Sequence, residues 1–81
     1  MTRTGTPWRE PSAADRCTTA VAAVARDLFT WHRRGITVRM VEPSGDGGVL
    51  LGVDAPVEAI PGVHQSLARH YRFPITCYAF A

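Results

Sequence analysis

Cys17, Val21, Val24, Leu28 and Trp31 recur at alternating steps of four and three residues. That spacing predicts an amphipathic helix with one continuous apolar seam. Ala14, Ala22, Ala25 and Phe29 flank the seam, and with Ala20 the apolar arc reaches roughly 200°, against the ~100° stripe that a helix lying on one sheet requires. Ser12 is a good N-cap, and Asp15 three residues on completes an acidic variant of the capping box. Gly35 closes the helix as a C′ residue, after Arg33 and Arg34, whose charges suit the negative end of the helix dipole. The expected helix therefore runs over 13–34, about 33 Å at 1.5 Å per residue.

Beyond it the period changes to two. Over 36–42, Ile36, Val38 and Met40 fall on one face and Thr37, Arg39 and Val41 on the other, the pattern of a half-buried strand. PSGDGG at 43–48 is turn chemistry in every residue, and VLLGV at 49–53 is a second strand, so 36–53 reads as a hairpin. Asp54 can cap a following helix, with Pro56 in its first turn. Pro61-Gly62 interrupts that helix. A short turn at 55–60, a kink and a helical piece at 62–71 are expected, with Ile60, Leu67 and Tyr71 on one face and Val57 and His64 at its edge. The last strand starts after Pro74, which cannot donate in a ladder. Ile75, Cys77 and Ala79 point one way; Thr76, Tyr78 and Phe80 point the other.

The order α-β-β-α(kinked)-β predicts an α+β fold, a small two-layer α/β sandwich with a three-stranded sheet and two helices on one face. A right-handed crossover that skips one strand places the first strand in the middle. The outer face then shows Thr37, Arg39, Val41, Leu50, Tyr78 and Phe80, a patch of the kind that marks a partner site. Residues 1–11 read as a flexible N-terminal arm with Trp8 available as an anchor, and 12–81 as a single domain.

Composition sharpens this picture. A domain of 81 residues buries only ~60% of its unfolded surface, and oligomerisation is a common remedy. An apolar fraction of 46% argues against disorder, and a net charge of only +2 excludes a histone-like basic module. All nine basic residues are arginine, which reads as the coding bias of a GC-rich bacterial genome. Two cysteines are too few for a disulfide scaffold. Residues 1–12 hold no apolar signal-peptide region, and no run approaches the ~18 apolar residues of a membrane span. A cytoplasmic protein without membrane contact is expected.

Candidate chemistry is thin. Cys17 or Cys77 with His32, His64 or His70 would be the parts of a thiol catalyst, but the patterns bury both cysteines, and buried cysteines act as small hydrophobes. His64 and His70 are six apart, on different helix faces, and no zinc spacing exists. Glu42, Asp46 and Asp54 serve turns and caps. GDGG lies between two strands with no lysine, so it is not a phosphate loop. No enzyme activity, metal or cofactor is expected. His32, Arg33 and Arg34 end one helix and Arg69, His70 and Arg72 end the other, where cations favour the dipole. With Arg39 these arginines could also form one patch that contacts an anion or RNA.

The stretch DAPVEAIPGVHQSLARHY gives the chain an α-β-β-α-α-β order that resembles the type II KH fold of bacterial RNA-binding proteins over about residues 20–80. That family clamps nucleic acid with a Gly-x-x-Gly loop; the matching residues here are Gly62-Val63-His64-Gln65, which keep the first glycine only. The resemblance implies RNA binding as the alternative function. The leading expectation is a non-enzymatic protein-binding module, a homodimer or an adaptor or regulator. Its contacts are Val21, Val24, Leu28 and Trp31 if helices pair, or Val41, Leu50, Tyr78 and Phe80 if sheets pair.

Overall fold

Ser12 and Asp15 close the capping box in both directions: the Asp15 N–H donates to Ser12 Oγ at 3.1 Å, and the Ser12 N–H donates to the Asp15 carboxylate at 3.2 Å. The structure, a computed structural model, describes residues 12–80, so Trp8 and the N-terminal arm lie outside the described residues. From this cap α1 runs over Ala13–Arg26. The expected single helix stops there. Asp27 takes a non-helical conformation (φ −100°, ψ 8°), and its N–H bonds the carbonyl of Val24 at 2.9 Å, a tightened turn. Helix α2 then spans Leu28–Arg33. Gly35 at φ +89° ends it as foreseen. Its N–H bonds His32 and the Ile36 N–H bonds Trp31, the paired bonds of a Schellman cap.

Strand β1 is Val38–Pro43, β2 is Val49–Val53 and β3 is Ile75–Ala79. A single 3₁₀ turn at Val57–Ala59 leads straight into α3, Ile60–His70. The break in this segment therefore falls before Pro61-Gly62, with the proline accommodated in the first turn of α3. Gly62 to Gln65 are helical, so they form no clamp loop of the KH kind.

The sheet is mixed and its order is β1-β2-β3. The second strand is central, not the first. β2 pairs antiparallel with β1 and parallel with β3. The residues explain the correction: β2 is VLLGV, uncharged throughout, whereas β1 carries Arg39, Glu42 and Pro43, which suit an edge.

A second correction concerns β1. Its register steps from Val38 opposite Val53 to Met40 opposite Gly52, so Arg39 is the extra residue of a β-bulge. Past the bulge the strict alternation is inverted. Val41 faces Leu51 and packs against the core, while Met40 turns to the outer side and is 37% exposed.

The core lies between the sheet's inner face and the helices. Val49, Leu51, Val53 and Ile75 meet Ala20, Val24, Trp31 and Leu67, all buried. Of the helical seam, Cys17, Val24 and Trp31 are buried, and Val21 and Leu28 are half-buried against the same core. On its flank, Ala22 and Ala25 are exposed, and Phe29 is 70% exposed.

Candidate interaction surfaces

The outer face of the sheet is built in two rows. Met40, Gly52 and Tyr78 align across the three strands, as do Glu42, Leu50 and Thr76. Gly52 is the floor. A Cβ there would sit 2.8 Å from the Tyr78 hydroxyl and 3.0 Å from the Phe80 ring, so both rings lean over the space the missing side chain leaves. The Phe80 N–H continues the ladder to Val53 at 2.8 Å, which holds its ring in place. Arg39, lifted by the bulge, stacks 5.4 Å from the Phe80 ring centre and pairs with Asp54 at 3.4 Å. The described helices all contribute to the core on the opposite face.

Of the residues expected on this face, Leu50, Tyr78 and Phe80 are there and half-buried; Val41 is not, for the bulge turns it inward. Thr37 is engaged with His32, Oγ1 to Nδ1 at 3.0 Å. Of the helix-pairing set, Val24 and Trp31 are 0% and 2% exposed. They belong to the chain's own core. Val21 and Leu28 are half-buried against the same core.

Trp31 anchors a polar relay that the sequence reading missed. Its indole N–H donates to the Tyr71 hydroxyl at 2.8 Å, which donates to the Asp27 carboxylate at 2.8 Å. A buried Trp or Tyr needs a partner for its polar atom, and that need was the available signal. The relay ties the α1–α2 break to the end of α3. Burial pushes the Tyr71 phenol up to about 12, with the carboxylate of Asp27 adding to the shift and the Trp31 hydrogen bond opposing it.

Because the folded state holds this phenol neutral, its contribution to stability is full below pH ~10 and is lost as pH rises through about 12. Replacing Tyr71 with Phe strands the indole N–H and removes one partner of the Asp27 carboxylate, which keeps Arg26 at 3.7 Å, at a cost of about 1–3 kcal/mol. Urea midpoints should fall for the variant at pH 8. They should also fall less steeply between pH 10 and 12 than those of the parent. Equal slopes would show that Tyr71 does not carry the alkaline loss.

The arginines divide. Arg34 and Arg69 line one depression with Trp31, Ile36, Ser66 and His70. Arg33 lies 5.8 Å from the centre of the exposed Phe29 ring. Arg72 is exposed in the link to β3. Arg39 belongs to the outer sheet face, so the five do not form one patch.

The other chemistry-bearing residues have structural partners. His64 Nε2–H donates to the Ile75 carbonyl at 2.8 Å, at the edge of α3 as expected. His70 packs edge-on to both Trp31 and Tyr71. Both cysteines are free thiols; Cys17 is buried, and burial pushes the Cys77 thiol up to about 11, against thiolate formation at neutral pH. No three His, Cys, Asp or Glu side chains among the described residues could hold a metal. No described helix is long and apolar enough to cross a membrane. An open apolar groove of about 770 Å³ lies between α1 and the hairpin loop, lined by Ala14, Cys17, Val21, Ala22, Pro43 and Gly45 among others. Comparison with known proteins returned no matching family, no matching curated sequence and no matching solved structure.

Proposed function

We propose that the protein is a non-enzymatic binding module whose outer sheet face docks a second copy of the chain. The observation that carries this reading is the apolar set Met40, Leu50, Tyr78 and Phe80 on the outer sheet face, which no described helix covers. Such a face loses apolar area from water when it meets another like it, at about 25 cal/mol per Å². Its rim favours self-association over a strongly charged partner. Arg39 and Asp54 form a neutral pair on it, and Glu42 supplies the opposite sign for an arginine across a two-fold axis. Three strands of five or six residues offer a face of roughly 17 by 14 Å. That is well under the ~800 Å² per partner of a standard interface. Association therefore belongs at the weak end, and a role as adaptor or regulator in a larger assembly follows from weak, exchangeable contacts.

Light scattering over a protein concentration series tests the reading. The parent should rise from monomer to dimer mass. The double variant Tyr78→Ser, Phe80→Ser should stay monomeric with its far-ultraviolet helical signal intact. Leu50→Gln, a milder change on the same face, should weaken association without removing the rings that cover Gly52. A parent that is monomeric at every concentration overturns the proposal.

A further inference from the structure

We propose that the depression between the C-terminal ends of α2 and α3 is an anion site for the phosphate group of a small molecule. Arg34 caps α2, and Arg69 and His70 lie in the last turn of α3; all three line a single depression of about 380 Å³, with Ser66 one turn earlier on α3. Spacings of three and four residues put Ser66, Arg69 and His70 on one helix face. Cations in a last turn complement the dipole, which accounts for their sign. It does not account for two helices bringing theirs together.

Among the described residues no carboxylate pairs with Arg34 or Arg69. The ion pairs among the described residues join Arg26 to Asp27 and Arg39 to Asp54, and neither involves Arg34 or Arg69. An anion lying between two guanidinium groups that line one depression is attracted by both. The cradle is also held in advance. Arg34 lies 5.2 Å from the Trp31 ring centre and His70 meets the same ring edge-on at 5.3 Å. The Tyr71–Asp27 relay fixes that ring from behind. Stacking positions a guanidinium without consuming its N–H donors, which stay available for the forked contact that a phosphate accepts. The Ser66 hydroxyl adds one more donor.

The size selects the carrier. About 380 Å³ is at the small end of ligand pockets, which run from ~300 to ~1,000 Å³. A nucleic-acid track would need basic residues to continue along the surface; Arg33 adjoins Arg34, but the run does not reach Arg39, which is on the outer sheet face and already paired.

The test is a titration of the full chain with inorganic phosphate, followed by ¹H–¹⁵N spectra at constant ionic strength with chloride as the balancing salt. Saturable shifts are expected at the Trp31 indole N–H and at Arg34, Arg69 and His70. Arg34→Gln and Arg69→Gln should each weaken the apparent affinity about tenfold, the loss of one charge-assisted contact. Arg34→Lys should recover only part of it, because the fork is gone, and Arg39→Gln should change nothing. Shifts that chloride reproduces, that do not saturate, or that Arg39→Gln weakens equally overturn the site. A short single-stranded RNA that binds through Arg34 and Arg69 while phosphate does not overturns the small-molecule assignment.

Discussion

Gly48→Ala unfolds at a far lower urea concentration than Gly45→Ala. A Cβ on Gly48 would lie 2.0 Å from the Pro74 carbonyl oxygen and 2.7 Å from its carbon. Both are backbone atoms, so no rotamer change relieves the clash. Relief means separating the start of β2 from the start of β3, where the Val49 N–H bonds that same oxygen at 3.0 Å. Insertions into packed sites cost about 1–3 kcal/mol when side chains can yield. With backbone on the far side, the expected loss is about 3 kcal/mol or more. That is a large share of the ~5–15 kcal/mol available to a small domain.

Gly45 differs in kind. Its φ is +90°, but nothing lies within 4 Å of a Cβ there, so alanine meets only conformational strain of about 1–2 kcal/mol. Equal midpoints for the two variants would refute the close approach of the hairpin loop to Pro74. Asp46 stands apart from both. The Ser44 hydroxyl is the main group holding its carboxyl below the usual carboxylate range, and the Gly48 N–H adds to the effect.

Val41→Asp is expected to destabilise the fold by about 3 kcal/mol, and Met40→Asp by less than about 1 kcal/mol. Val41 faces Leu51 and packs on the core; a carboxylate there loses water without gaining a partner. Met40, beside Gly52 on the outer face, leaves room for hydration. Strict alternation from Ile36 reverses this ranking, because it puts Met40 inside and Val41 outside. Urea unfolding at low protein concentration, where any sheet-face association is dissociated, compares the pair directly. Should Met40→Asp prove the more damaging, the bulge at Arg39 is wrong. Leu50, Tyr78 and Phe80 would then be left without Met40 as a neighbour.

The amino-acid sequence alone determined the local elements, for reasons that act within a few residues. Ser12 with Asp15, Gly35, the PSGDGG loop and Pro74 mark boundaries by their own backbone chemistry, and the structure has each of them where the chain places it. The helical seam likewise predicted which side of the first helix is covered, since Cys17, Val24 and Trp31 are buried. The two-layer fold follows from the order of those elements.

What only the tertiary structure decided are relations between distant residues. Strand order depends on which strand tolerates partners on both edges, a comparison among three segments that no local pattern makes. The bulge at Arg39 shifts β1 by one residue, and a shift of one reverses every face after it. The helix breaks at Asp27, whose carboxylate accepts from a tyrosine 44 positions away. Arg34 and Arg69 share a depression because two helices end side by side, while Arg39 lies on the far face of the sheet. Periodicity reports the environment of a residue along its own element; which charges, rings and thiols become neighbours is set by how the elements pack.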